Sequence, residues 1–316
     1  MPTAAARRQQ LDSAAIALMV LLCACWGFNQ VAIKSANTGI SPIFQAGLRS
    51  GGSALLVWAW SAHRGVRLLQ RDGTLGLGVL IGVLFGAEFV ALYWSLVFTS
   101  ASRAVLFLYM SPFVIGLGAH FLIPGERLRW LQAIGLVCAF GGMVLAFADA
   151  LRFPTYRELL GDGLAFVAAI LWGATTVVIK ASRLATASPH KNLLYQLVVS
   201  AILLPIVSWT VGEPGIVNPT PLVLGMLAYQ IIVVAFASYL AWLWLVSRYP
   251  AGRLSSFSFL TPLFGLLAGA LVLGEPVGWA LMMALALVGI GIALINRPSP
   301  LPTVSVRPAG AGVGER

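Results

Sequence analysis

Residues 25–34 read CWGFNQVAIK, and residues 171–180 read LWGATTVVIK, the same pattern 146 residues further along the chain. The likeness extends outward from these two stretches. Matched positions at offsets of 147 to 150 residues are Ser53/Ser200, Ala91/Ala241, Trp94/Trp244, Arg103/Arg253 and Pro112/Pro262. A repeat of this length and order indicates that the chain consists of two tandem copies of one unit.

The composition of the chain is that of a membrane protein. Hydrophobic residues make up 59% of it and charged residues 9%, with a mean hydropathy of +0.91, outside the range of soluble domains. A transmembrane helix needs about 20 apolar residues, and runs of this length recur along most of the chain. Because the runs lack the alternation of β-barrel strands, we predict an all-α membrane protein.

The apolar runs predict ten transmembrane helices, five in each copy. Their predicted positions are 13–34, 41–61, 74–97, 101–122, 127–147, 160–181, 190–211, 222–247, 252–273 and 276–296. Because five is an odd number, the second copy enters the membrane from the opposite side, and the repeats are inverted. The predicted organisation is a cytoplasmic tail at 1–12, a first repeat at 13–147, a periplasmic linker at 148–159, a second, inverted repeat at 160–296 and a disordered cytoplasmic tail at 297–316.

Basic residues predict the orientation of the chain. With a cytoplasmic N-terminus, fifteen of the 20 lysine and arginine residues fall on the cytoplasmic side and four on the opposite side. The positive-inside rule therefore predicts that both termini are cytoplasmic. The net charge of +10 is explained by this bias, and we infer no nucleic-acid partner from it.

Several kinds of chemistry lack the residues that they require. None of the three lysines, Lys34, Lys180 and Lys191, follows a phosphate-binding glycine-rich loop, which argues against direct coupling to ATP. No Ser/His/Asp arrangement and no zinc-binding histidine motif stands out. We predict no catalytic residues, no metal site, no cofactor and no enzymatic activity.

Two charged residues, Arg49 and Glu88, fall well inside predicted helices. Both lie about 12–14 Å below the outer surface, at 1.5 Å per residue. One interpretation assigns them to a substrate, with Arg49 binding a carboxylate and Glu88 binding an ammonium or a coupling proton. The other is a buried ion pair that joins the second and third helices. In the second copy Gln196 replaces Arg49, so the fold tolerates the loss of this charge.

Aromatic and proline residues occupy matched places in the two copies. Trp26 and Trp172 lie midway through their helices, and Asn29 and Thr176 follow on about the same helical face. Such a face suits a small amphipathic solute or, as the alternative, packing between helices. Pro112 and Pro262 interrupt the fourth and ninth helices, and these kinks serve as hinges or as packing features.

These residues resemble the pattern of an EamA domain. The first copy carries Trp26-Gly27, Lys34, Arg49, Ser102-Arg103-Ala104, Pro112 and Gly125-Glu126-Arg127, and the second carries Trp172-Gly173, Gln196, Arg253, Pro262 and Gly274-Glu275. Two tandem EamA domains resemble the drug/metabolite transporter superfamily, over about residues 13–296. Within it the chain is most similar to bacterial exporters of aromatic amino acids of the YddG type.

The resemblance implies a central cavity lined chiefly by helices 1, 3, 4, 6, 8 and 9, in a protein of the bacterial inner membrane. We predict a secondary transporter that exports amino acids or similar small zwitterions by alternating access. The predicted substrate-binding residues are Trp26, Asn29, Glu88, Tyr93, Tyr109, Trp172, Thr176, Tyr239 and Trp244. The alternatives are an exporter of drugs or cationic metabolites and, from another class, a membrane-embedded enzyme acting on a lipid. The expected partners are a small-molecule substrate, the lipid bilayer and protons as a candidate coupling ion, in a monomer or a homodimer.

Overall fold

The computed structural model describes residues 10–68, 70, 72–148, 153–273 and 279–297. Within these residues the chain forms ten helical spans, here α1 to α10. They are α1 Ser13–Ala36, α2 Pro42–His63, α3 Leu75–Phe98, α4 Ala101–Leu122, α5 Trp130–Ala146, α6 Tyr156–Ala181, α7 Pro189–Thr210, α8 Pro221–Arg248, α9 251–273 and α10 Trp279–Ile295. Most of the two predicted tails, part of the predicted linker and Glu275 lie outside the described residues.

The length and composition of the helices are those of a multi-pass membrane protein. Among the described residues, six spans (α1, α3, α4, α6, α7 and α8) are long and apolar enough to cross a bilayer, and α5 and α10 are shorter apolar helices. Large apolar side chains such as Leu55, Phe121 and Val137 lie exposed on the outer surfaces of the bundle. A surface of this kind is stable where lipid covers it, so the predicted all-α membrane fold is confirmed.

Several helices begin with the caps that their sequences provide. Asp12 accepts a hydrogen bond from the Ala15 backbone amide, 2.9 Å away, at the start of α1. At the start of α6, Thr155 and Glu158 cap one another's backbone amides in a capping box. Pro42 occupies the first turn of α2, where a missing amide hydrogen costs nothing.

The fourth and ninth spans are interrupted at matched places. In α4 the helix ends at Leu108 and resumes at Ser111, directly before Pro112. In α9 a 3₁₀ segment, Ser256–Phe259, precedes the helix that contains Pro262. A proline lacks the amide hydrogen that would continue the preceding turn, which explains why both breaks lie just before it.

The eighth span contains an irregularity that no feature of the sequence predicted. Residues Gln230–Ser238 form a π-helix between the α-helical segments Pro221–Tyr229 and Tyr239–Arg248. A π-segment shifts the face that the following turn presents. It therefore determines which side of α8 faces its neighbours beyond Tyr239.

Close glycine contacts show that the two repeats interlock. A Cβ atom added at Gly27 of α1 would lie 2.7 Å from the Phe264 Cβ of α9. One added at Gly173 of α6 would lie 2.5 Å from the Val114 Cγ1 of α4. Gly27 is equivalent to Gly173 in the repeat, and Phe264 to Val114. The first helix of each repeat therefore packs against the fourth helix of the other.

A glycine stripe joins α3 to α7. Gly78, Gly82 and Gly86 lie one turn apart on α3, against Tyr195, Val199 and Leu203 of α7. An added Cβ at Gly82 would lie 2.5 Å from the Val199 Cβ, so any larger residue there would push the helices apart. This close approach again joins a helix of the first repeat to one of the second.

Ion pairs connect segments that belong on the same side of a membrane. Near the predicted cytoplasmic side, Lys180 pairs with Glu126, and Lys191 Nζ lies 2.8 Å from an Asp72 carboxylate oxygen. The hydrogen bond from Lys191 holds the pKa of Asp72 well below its usual range. Near the other ends of the helices, Arg103 pairs with Asp162. Each pair therefore joins residues that the predicted ten membrane crossings place on the same side of the membrane.

We expect Gly82→Ala to lower the melting temperature of the purified protein in detergent. The added methyl group would overpack the α3–α7 contact at a cost of about 1–3 kcal/mol. Gly76→Ala is the matched control on the same helix, because no heavy atom of a packing neighbour in the described structure lies within 4 Å of a Cβ added at Gly76. Equal melting temperatures for the two variants would contradict the close packing at Gly82.

Candidate functional site

A cavity of about 190 Å³ lies between the two repeats. Its walls come from α1, α2, α3 and α4 of the first repeat and from α6, α7 and α8 of the second. This corrects the expectation that α9 would line it, since none of its described residues does so. Its counterpart α4 does line the cavity, through Leu108 and Tyr109, and α2 and α7 also contribute to the wall.

The lining of the cavity follows the sequence repeat. Most lining residues of the first repeat have a counterpart at the equivalent position of the second repeat that also lines the cavity. The equivalent pairs are Trp26/Trp172, Asn29/Thr175, Gln30/Thr176, Ile33/Ile179, Arg49/Gln196, Phe89/Tyr239, Leu92/Trp242, Tyr93/Leu243 and Leu96/Val246. The cavity therefore lies on the axis that relates the two repeats, which is where transporters with inverted repeats bind substrate.

Two charged residues of the first repeat break this symmetry, because uncharged residues occupy the equivalent positions of the second. Arg49 is matched by Gln196, and Glu88 is matched by Ser238, so both charges belong to the first repeat. The two charged side chains are almost completely buried, with 1% of Arg49 and 8% of Glu88 exposed. Burying charge in a membrane protein is costly, and such residues are usually retained for function.

Arg49 has no carboxylate partner in the described part of the chain. Its guanidinium lies over the ring of Phe89, 4.5 Å from the ring centre. Its Nε and Nη2 atoms are buried without a hydrogen-bond partner among the described residues. The predicted ion pair between Arg49 and Glu88 is therefore wrong: both side chains face the cavity, but they do not contact one another as a salt bridge.

Glu88 and Asn29 place acceptor oxygens at the same cavity. No hydrogen bond or ion pair to the Glu88 carboxylate occurs among the described residues. The Oδ1 atom of Asn29 is also buried without a partner there. A carboxylate and an amide oxygen that lack donors are suited to binding an ammonium group.

Trp26 is held in a fixed orientation by the second repeat. Its Nε1–H donates a hydrogen bond to the Ser238 hydroxyl, 2.8 Å away. Its ring meets those of Tyr239 and Trp242 edge to face, with centroids 6.4 and 5.9 Å apart. The indole nitrogen is thus used within the protein, and the ring contributes an apolar wall to the cavity.

Trp172 is oriented differently from its counterpart. It meets Tyr109 edge to face at 5.7 Å, across the boundary between the repeats. On the next turn of α6, the hydroxyl groups of Thr175 and Thr176 donate to the carbonyls of Leu171 and Trp172. Because their hydrogens are used in this way, the two hydroxyls present acceptor oxygens to the cavity.

The structure brings eight of the nine predicted substrate-binding residues to this cavity. These are Trp26, Asn29, Glu88, Tyr93, Tyr109, Trp172, Thr176 and Tyr239. Trp244 does not line it: its side chain is 37% exposed, and the Arg248 guanidinium lies 4.3 Å from its ring centre. Residue 244 is two positions beyond Trp242, about 200° around the helix, so it faces away.

The sequence contains a signal that would have identified Trp242 and Phe89. The cavity face of α8 consists of Tyr239, Trp242, Leu243 and Val246, which follow the spacing of one helical face. Subtracting the repeat offset from these positions gives the cavity face of α3, including Phe89. Trp244 is also aromatic, but it lies on a different face of α8 from these cavity residues.

The arrangement can bind a small solute that carries both charges. The guanidinium of Arg49 can bind a carboxylate in a bidentate manner. Glu88 and Asn29 can accept from an ammonium, and the surrounding rings offer apolar contact. Inorganic anions and strongly charged phosphate esters would require more than the one cationic side chain found among the described lining residues.

Known proteins resemble this chain over most of its length. YvbV, an uncharacterized transporter of Bacillus subtilis (strain 168), is 26% identical over 303 residues, covering 95% of both proteins. A probable amino-acid metabolite efflux pump of Escherichia coli (strain K12) is 28% identical over 270 residues, covering 82% of this chain and 86% of the pump.

A solved structure supports the fold. One crystal structure, of a protein with 21% identical residues, superposes with a TM-score of 0.78, covering 90% of this chain and 96% of the other. The model of the EamA-like transporter family matches the sequence twice, at residues 13–148 and 159–297. With two family domains that together span most of its length, the chain belongs to the EamA-like transporter family.

Proposed function

We propose that this transporter exports amino acids or similar small zwitterionic metabolites across the bacterial inner membrane without using ATP. The main support for the proposal is that Arg49 and Glu88, which have opposite charges and form no salt bridge with one another, line one cavity between the repeats. The resemblance to the probable amino-acid metabolite efflux pump of Escherichia coli supports the same substrate class.

The charged groups suggest how a zwitterion is bound. The substrate carboxylate receives hydrogen bonds from Arg49, whose Nε and Nη2 atoms otherwise lack partners. The ammonium lies near Glu88 and the Asn29 oxygen. The remainder of the solute contacts the rings contributed by the second repeat, Tyr239 and Trp242 among them. This favours neutral amino acids with apolar or aromatic side chains.

The repeat suggests how the site is exposed alternately to the two sides. Because equivalent residues of both repeats line the cavity, exchanging their conformations would invert its access while leaving the binding groups in place. The breaks before Pro112 and Pro262 lie at equivalent positions in the two repeats and would serve as matched hinges. Substrate flux through the protein would then require no covalent chemistry.

An exporter of lipophilic cations is the second candidate. Glu88 and the aromatic rings would suit such a substrate through charge and cation–π contacts. The unpaired guanidinium of Arg49 argues against it, because a cation in the same cavity would be repelled. The amino-acid proposal therefore accounts for both charges, and the cation proposal for one.

Flux into liposomes that contain the purified protein tests this proposal. We expect saturable transport of labelled neutral amino acids and no transport of a labelled lipophilic cation, each measured with and without a pH gradient. A dependence on the gradient would identify protons as the coupling ion. Transport of the cation alone would replace the amino-acid proposal with its alternative.

Replacing Arg49 by glutamine should impair transport without harming stability. We expect KM for the amino acid to rise about tenfold or more, since a charge-assisted hydrogen bond contributes about 1.5–3 kcal/mol. Because Arg49 is buried without a carboxylate partner, its removal should leave the melting temperature unchanged or raise it. Gln196 occupies the equivalent position, so glutamine suits this kind of site.

Arg183→Gln is the matched control, because Arg183 is exposed and lies outside the cavity. This variant should transport amino acids as the wild type does. A large fall in melting temperature for Arg49→Gln would indicate a structural role instead. Flux and melting temperature are measured on the same preparations.

Replacing Glu88 by glutamine should weaken binding of the substrate ammonium. We expect an increase in KM of about tenfold for amino acids, with a smaller effect on analogues that lack the amino group. Glu158→Gln is the control, because the capping box at the start of α6 accepts glutamine as well as glutamate. An equal effect on substrate and analogue would exclude contact between Glu88 and the amino group.

A further inference from the structure

A second cavity, of about 290 Å³, lies at one end of the helix bundle. It is enclosed by α4, α5, α9 and α10, and none of its described lining residues also lines the central cavity. Three arginines line it: Arg127, Arg129 and Arg253. Lys180 and Glu126, which pair nearby, place it at the predicted cytoplasmic side of the membrane.

Arg253 is buried in the wall of this cavity with its charge uncompensated. Its side chain is 6% exposed in a mainly apolar bundle. Its Nη2 donates a long hydrogen bond to the Arg297 carbonyl, 3.4 Å away, and its Nη1 has no partner in the described part of the chain. The charged group that acts on it is Arg129, which has the same sign. A buried arginine in these surroundings requires an anion.

The equivalent arginine in the first repeat shows what is missing. Arg103 occupies the position that matches Arg253, and it forms a buried ion pair with Asp162 of α6. The residue of α1 that matches Asp162 is Ile16, which has no charge. The second repeat therefore keeps the arginine but not the carboxylate that neutralises it.

The acidic side chain among the described lining residues of this cavity, Glu126, already has two partners. One oxygen of Glu126 pairs with Lys180, and the other accepts a hydrogen bond from the Ala251 backbone amide at 2.7 Å. Its charge is balanced by Lys180, so it does not compensate Arg253. The anion that completes the site has to come from outside the described chain.

We propose that this cavity binds the phosphate group of an anionic phospholipid. The planar guanidinium of Arg253 is suited to a phosphate, and basic pockets between helices at the cytoplasmic side are typical lipid headgroup sites. Directly after Arg129, Trp130 is 77% exposed, and it is followed on α5 by exposed Leu131 and Ile134. This apolar strip borders the arginines and offers a surface for acyl chains, which a free phosphate would not use.

Native mass spectrometry of the full-length protein in detergent tests the proposal, with phosphatidylglycerol and phosphatidylcholine of matched chain length as probes. We expect the wild type to retain phosphatidylglycerol in preference to phosphatidylcholine. Arg253→Gln should weaken retention of phosphatidylglycerol about tenfold, the effect of losing a charge-assisted hydrogen bond. The control is Arg248→Gln, which removes a charge at the same membrane edge but outside the cavity and should bind as the wild type does.

Two further measurements keep the outcome decisive. If Arg253→Gln does not fold, Arg253→Lys keeps the charge but removes the planar fork, and it should still bind phosphatidylglycerol more weakly than the wild type. Inorganic phosphate at millimolar concentration should not displace the lipid, and displacement would show that the site takes free phosphate. Equal retention of phosphatidylglycerol by the wild type and both Arg253 variants would overturn the proposal, whatever the protein transports.

Discussion

The contacts at Gly27 and Gly173 are the constraint on which the cavity depends. Each glycine lets the first helix of one repeat approach the fourth helix of the other closely. The tryptophan immediately before each glycine lines the cavity. Because the two contacts are related by the repeat, they hold the halves face to face around one axis and fix the aromatic walls on both sides of it. The glycine stripe of α3 closes the interface in the same way.

Within this symmetric frame the electrostatic asymmetry is the feature most relevant to function. Both cavity charges come from the first repeat, where Arg49 and Glu88 replace the neutral polar groups found at the matching positions of the second. Packing alone would not require either charge, because the second repeat folds in the same way without them. A buried arginine and a buried glutamate that do not pair with one another leave each available to a ligand of opposite charge.

The same comparison between repeats distinguishes paired from unpaired arginines elsewhere. Arg103 meets Asp162, whereas its counterpart Arg253 has no carboxylate partner among the described residues. Inverted repeats thus provide an internal control: two copies of one fold, in which a difference at matched positions separates what the architecture needs from what a ligand needs. By this comparison we infer two different ligands, a substrate carboxylate for Arg49 and a lipid phosphate for Arg253.

Hydropathy, helix length and internal similarity are properties of the sequence, and they were enough to predict the membrane class, the ten helices, the inverted repeat and most of the aromatic lining. They did not reveal whether Arg49 and Glu88 pair, that Trp242 rather than Trp244 faces the cavity, or that α2 and α7 line it while no described residue of α9 does. Those features depend on the rotation of each helix about its axis. The rotation of each helix is set when neighbouring helices pack, here at the glycine contacts and at the π-segment of α8. No local sequence pattern predicts these contacts.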